Sequence, residues 1–382
     1  MHLLDLYADH YDLEVKKPFV LEKYYPMAGT KFLSLHVGNE QGDQLTYPYW
    51  QEVINLCKPT LDKIGISFLL TNGSLKMKYN NCTQMDGQLS LNELAYVIKS
   101  SLIHISEGDF DLDIASGYDK KIIFLDKENN KERNRPYWEK ESAFINELEK
   151  DIPIQKIKPE KIAKTIFKFL DIDYSFDYST VFIGGSYLNK SIQIIPNQDI
   201  NVENNNFGSP IVVRMDKVFN EEVLANQLSR YACIIVTKKA INEQIINSFN
   251  KNIVHVSYLI GEDDDPKFID TLRRANVNGH LMSKLENEKL NKKKINYMDY
   301  GVINKIIIPS QNDIEELKNE DINSLLYMSN GVVLSEGKVY KSIFDWENNA
   351  ASEEFNRPTP IRLNESFWEE VSNLYLIKKK GS

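Results

Sequence analysis

Four carboxylates crowd around one glycine in residues 106–113 (SEGDFDLD): Glu107, Asp109, Asp111 and Asp113, with Gly108 among them. Carboxylates at this density can take a proton from a hydroxyl or hold hydroxyls by hydrogen bonds. They repel a diphosphate unless protonated or turned to other partners. Elsewhere the chain offers His36 at the end of an apolar run, and the pair Arg214 and Asp216, which reads either as a ligand pair at a strand end or as a local salt bridge. His104 and His255 lie inside apolar runs and read as core residues with internal partners. Residues 262–265 (EDDD) place Asp263 and Asp265 at the spacing that could hold Mg²⁺ or Mn²⁺. Because Pro266 follows Asp265, the stronger reading is a helix N-terminus, and no metal site is assigned.

The carboxylate loop needs elements to position it. Leu91, Leu94, Ala95 and Ile98 recur at helical spacing behind Ser90, an N-cap with Glu93 three residues on. Residues 102–105 form a short apolar strand, 114–117 a short helix closing at a glycine, and 122–125 a second strand. The pattern is βαβ, with the polar loop at the carboxyl end of a strand, where open parallel sheets bind ligands. Upstream, the loop 38–46 (GNEQGDQLT) starts with Gly38 and Asn39 and offers two glycines, Gly38 and Gly42, whose backbone amides could approach a diphosphate, and Asn72 and Gly73 end the next strand.

The ordered set 31–38 (KFLSLHVG), 47–56 (YPYWQEVINL), 65–73 (GISFLLTNG) and 90–125 (SLNELAYVIKSSLIHI…F…IAS…KKIIFL) resembles the nucleotide-sugar half of family 9 glycosyltransferases, the heptosyltransferase family. The resemblance covers residues 31–125, about a third of the chain. It implies that His36, Gly38, Asn39, Asn72, Gly73, Glu107, Gly108, Asp111 and Asp113 surround a sugar nucleotide; Arg214 and Asp216, outside the resemblance, are candidate ligand contacts only from their place at a strand's carboxyl end. The chain departs from the family loop: Gly108 stands where that loop has Asp, Asp109 where it has Ser, and Asp113 where it has His. Either Asp109 and Asp113 serve altered roles, or this half is retained for structure. On the first alternative Asp109 orients the sugar or activates the acceptor, and Asp113 caps the short helix at Ile114.

The chain has 382 residues, enough for two domains each with its own core; 42% are apolar and 26% charged. A net charge of -9 disfavours nonspecific binding to polyphosphate, and the basic stretches around Lys131, Arg133 and Arg135 and at 289–294 read mainly as solvated faces. Cys57, Cys82 and Cys233 are odd in number and far apart, so reduced thiols in a cytoplasmic protein are expected. Asp5, Asp9 and Asp12 interrupt what would be a signal core, and no run is long enough to span a bilayer, so neither a secretory signal nor a membrane span is expected.

The fold expected is α/β: two Rossmann-like parallel-sheet domains of the GT-B kind, facing each other across a cleft. Residues 1–30 form a packing segment, 31–170 the nucleotide-sugar domain, 171–330 the acceptor-side domain, and 331–382 a docking hairpin and helix. Residues 180–185 and 190–196 read as strands joined by a hairpin turn at Gly184–Gly185. In the resembled family the acceptor domain comes first, so this order implies a circular permutation or an unrelated second domain. The function implied is transfer of a sugar from a nucleoside diphosphate sugar to the hydroxyl of a glycan or other acceptor, with the donor as substrate and no cofactor. Two alternatives stand beside it: a catalytically inactive scaffold subunit, and a viral glycosyltransferase acting on hydroxymethylated DNA bases, which the acidic total disfavours.

Overall fold

Residues Phe32–His36 (FLSLH) form β1, three apolar and two polar, and all five are buried, as a central strand of a parallel sheet must be. The computed structural model describes residues 2–17, 19, 21–26, 31–38, 47–71, 79–85, 89–108, 110–126, 135–138, 141–145, 154–202, 210–261, 264–298, 301–305, 315–352 and 357–380. The chain divides into two units, Met1–Ser179 and Thr180–Ser382. The division falls at the end of the Asp- and Tyr-rich stretch 171–179.

In the first unit β1 is followed by β2 (Ser67–Leu70), β3 (Cys82–Gln84), β4 (Ile103–Ser106), β5 (Lys121–Phe124) and β6 (Glu141–Phe144). All pairings are parallel and the order is β3-β2-β1-β4-β5-β6. The helices are α1 (Leu3–Tyr11), α2 (Trp50–Lys63), α3 (Leu91–Ser100), α4 (Asp111–Gly117) and α5 (Pro159–Leu170). The capping box expected at Ser90 forms: its hydroxyl accepts the Glu93 N–H, and the Glu93 carboxylate accepts the Ser90 N–H. Helix α2 runs through Pro59. One ladder hydrogen bond is lost there, but Trp50, Val53, Ile54, Cys57 and Leu61 remain buried along one stripe. Helix α4 begins at Asp111, three residues earlier than expected, so Asp113 sits inside its first turn and does not cap it.

The second unit continues with β7 (Tyr178–Ile183, which begins just before the boundary), β8 (Ser191–Ile194), β9 (Ile211–Arg214), β10 (Cys233–Thr237), β11 (Ile253–Ile260), β12 (Gly279–Ser283), β13 (Asn304–Lys305), β14 (Leu326–Ser329), β15 (Gly331–Ser335), β16 (Lys338–Tyr340), β17 (Thr359–Pro360) and β18 (Leu374–Lys379). Its helices are α6 (Glu221–Arg230), α7 (Glu243–Phe249), α8 (Lys267–Arg274), α9 (Asn287–Asn296), α10 (Ile343–Glu347) and α11 (Glu365–Glu370). The large sheet runs β13-β12-β11-β10-β9-β8-β15-β16, and a smaller one runs β17-β14-β18-β7. The β15–β16 hairpin forms as expected, turning at Glu336 and Gly337, both with positive φ. Because β15 pairs parallel to β8, however, the hairpin belongs to the large sheet and is no appended tail.

Two expectations are overturned here. The docking helix expected at the end of 331–382, over the aromatic stretch 367–377, does not form as one: α11 ends at Glu370, a single 3₁₀ turn follows, and residues 374–379 are a strand paired with β14. Gly184–Gly185 is not a hairpin turn, since β7 and β8 lie in different sheets. A Cβ on Gly184 would stand 2.2 Å from the Ser372 carbonyl oxygen, so glycine is required where two backbones touch.

Candidate functional site

The order of the first sheet reverses between β1 and β4: β2 and β3 extend to one side, β5 and β6 to the other. A crevice at the carboxyl ends is the geometric consequence, and it is where such sheets take ligands. His36 and Ser106, the last residues of β1 and β4, are register partners there.

Beneath this edge lies a buried polar chain. His104 Nδ1 is 2.9 Å from Ser34 Oγ, and His104 Nε2 is 2.7 Å from Asp111 Oδ2. The other oxygen, Oδ1, lies 3.9 Å from His36 Nε2, while His36 Nδ1 is 2.9 Å from Thr71 Oγ1. The Asp111 side chain is wholly buried, as is that of His104. Burial alone would raise the Asp111 carboxyl. The charge of His36, the hydrogen bond and charge of His104 and the Ser106 hydroxyl outweigh it, and the carboxyl is held below the usual range. Asp113 is pushed the other way, chiefly by burial.

Glu107 faces inward as well. Its Oε2 accepts the Gly38 N–H at 2.9 Å; its Oε1 accepts the Tyr47 N–H at 2.9 Å and the Trp50 indole N–H at 2.6 Å. One carboxylate thus ties both ends of the segment between β1 and α2 to the end of β4. Gly108 follows with φ 94°, and a Cβ there would meet the Phe124 ring at 2.9 Å, so the turn accepts no other residue without movement. Phe110 packs edge-on to the His36 ring at a centroid distance of 6.1 Å.

The site residues expected from the sequence therefore separate. His36, Gly38, Glu107, Gly108, Asp111 and Asp113 gather at the carboxyl ends of β1 and β4 or in the first turn of α4. Asn39, Asn72, Gly73 and Asp109 lie outside the described residues. Arg214 and Asp216 belong to the second unit, where the guanidinium forks onto the carboxylate at 2.8 and 2.9 Å and gives a further hydrogen bond to Gln193 Oε1 at 2.6 Å. Gln193 also faces Glu370, whose Oε2 accepts the Ile343 N–H at 2.9 Å. Burial pushes the Glu370 carboxyl up to about 7 against the opposing charge of Arg214.

His104 is a core residue, as its apolar flanks suggest, but one that carries the central hydrogen bond of the site. Its spacing of seven residues from Asp111, across a strand end and a turn, is the signal that could have found the pair. The acidic run behaves as a helix start: Asp265 accepts the Lys267 N–H at 3.0 Å, and Asp264 is bound by Lys293 and Tyr297. Of the basic run 289–294, Lys292 pairs with Glu288 and Lys293 with Asp264. Among the described residues no group of three or more His, Cys, Asp or Glu could hold a metal ion, and no helix is long and apolar enough to cross a membrane.

No family model and no curated protein matches the chain. Among solved structures it is similar to the E. coli ADP-heptose LPS heptosyltransferase II, at 11% identity and a TM-score of 0.31. It is also similar to a family 9 glycosyl transferase from Veillonella parvula, at 12% identity and a TM-score of 0.30. Each likeness covers 44% of this chain and 50% of the other, so the match spans half the length of either neighbour. At such TM-scores the likeness carries no argument about activity.

Proposed function

We propose that the chain is a glycosyltransferase that holds a nucleoside diphosphate sugar at the carboxyl edge of the first sheet and passes the sugar to an acceptor hydroxyl. The observation that supports this best is the reversal of strand order between β1 and β4, with His36, Gly38 and the Ser106–Glu107–Gly108 turn gathered at that point. The Glu107 and Asp111 networks hold this edge rigid before any ligand arrives, which is what positioning chemistry needs. The diphosphate belongs at the start of α2, whose N-cap Tyr49 supplies no side-chain cap; the Gly38 and Tyr47 amides nearby are already held by Glu107. It fits α4 less well, where two carboxylates, Asp111 and Asp113, occupy the first turn against one, Glu52, at α2. Asp109, between Gly108 and Phe110, is the group assigned to the sugar or acceptor hydroxyl.

One observation favours a second reading, a binding subunit without turnover. Both Glu107 oxygens, Asp111 Oδ2 and His36 Nδ1 are spent on the protein itself. A thermal-shift panel of UDP-, GDP- and ADP-sugars separates the readings. A sugar nucleotide at a hundred times its dissociation constant adds about 2.7 kcal/mol of stability. A shift with turnover, lowered ~10²-fold by Asp109→Asn, supports the enzyme. A shift without turnover supports the binding subunit, and no shift with any sugar nucleotide overturns both.

A further inference from the structure

The amino-terminal segment is tied to the first unit by polar side chains at several points. His2 Nε2 donates to the Arg135 carbonyl at 2.7 Å, and Tyr137 donates to Asp5 at 2.6 Å. Lys17 binds Asp119 and Lys99 binds Glu22, both at 2.8 Å, and Lys23 pairs with Glu93 at 2.9 Å. The large apolar side chains of the same stretch face out: Leu6, Tyr7, Tyr11, Leu13, Phe19, Leu21 and Tyr24 are between 46% and 89% exposed. Among the described residues these are seven of the nineteen exposed large hydrophobics, within one twentieth of the chain. The charged side chains of this stretch are exposed too, and what sets it apart is the density of unburied apolar surface.

We propose that these seven exposed side chains form the surface through which two copies of this chain associate. The apolar area fits: seven such side chains offer on the order of 800 Å², what one partner contributes to a stable interface of ordinary size. The charges fit a second copy as well. Asp9, Asp12 and Glu14 stand exposed toward the front of the segment, and Lys16, Lys17 and Lys23 stand exposed behind them, where each also pairs within the chain, to Glu14, Asp119 and Glu93. A two-fold axis sets the same surface against itself turned around, so the acidic part of one copy meets the lysines of the other. An anionic membrane or an acidic partner would instead meet a chain of net charge -9.

Sedimentation velocity on the full chain, from sub-micromolar to high micromolar concentration, tests this. The wild type should be a dimer. The combined variant Leu13→Glu, Phe19→Glu, Leu21→Glu should be a monomer with unchanged circular dichroism and thermal midpoint, since none of the three side chains is packed. Lys16→Glu should weaken dimerisation at least tenfold at low salt and less at high salt. A wild type that stays monomeric, whether or not it sediments with neutral lipid vesicles, overturns the proposal. So does a triple variant that remains dimeric.

Discussion

Each unit buries a carboxylate near the ends of its parallel strands, and the two burials end oppositely. In the first unit Asp111 lies between two imidazoles and is held ionised, below the usual carboxylate range. In the second, Glu370 keeps one backbone N–H and a long contact to Gln193, because Arg214 already spends its fork on Asp216. Burial therefore dominates and lifts Glu370 to about 7. Depth does not decide the charge state; whether a cation is still available does.

The largest effect expected from this contrast comes from Asp111→Ala, which strands His104 in the core and removes the charge facing His36. Loss of one member of a buried ion pair costs about 3–5 kcal/mol. Urea unfolding should show this as a lower midpoint. A loss under about 1 kcal/mol would mean that the imidazoles do not depend on the carboxylate.

Next comes pH. The Glu370 carboxyl is raised from 4.5 to about 7 in the folded chain. Its stabilising contribution is therefore fully present below pH 4.5 and is lost as pH rises through 7, by roughly 3 kcal/mol at about 1.4 kcal/mol per pK unit. Asp111 is lowered, so its contribution is present above the ordinary value of 3.8 and is lost only in stronger acid. Hydrogen exchange between pH 5 and 8 should show β10 opening more easily toward pH 8, after correction for intrinsic exchange, while β4 shows no such trend from Asp111. Glu370→Gln should flatten the β10 trend. A trend that survives the substitution would assign it to other groups.

Glu107→Gln is expected to be smaller, about 2 kcal/mol, because an amide nitrogen would face N–H donors that now meet a carboxylate oxygen. Nucleotide affinity should fall with it, since Gly38 and Tyr47 are both tied to that side chain. Unchanged stability and affinity would show that the segment between β1 and α2 is held by other means.

Much of the frame was legible because it rests on local rules. The Ser90–Glu93 capping box, the apolar runs of β1 and β4, and the alternation of strands and helices in the second unit all follow from spacing within a few residues. What the sequence concealed depends on distant partners. Residues 374–377 are as apolar as a helix stripe, and only pairing with β14 makes them a strand. Gly184 reads as a turn until Ser372 is seen against it. At the site, the clustering of carboxylates was plain, but their directions were not. Glu107 turns to Trp50, 57 residues away in sequence, and Asp111 turns to a histidine that its neighbours mark as core.

The central claim is that a sugar nucleotide sits where strand order reverses in the first unit. Hydrogen exchange with and without the sugar nucleotide that gives the largest thermal shift tests it most directly. Slowed exchange should be concentrated at residues 37–38, 47–52 and 107–112, with the strands of the second unit unaffected. Protection confined to the second unit, around Gln193 and Arg214, would contradict the account.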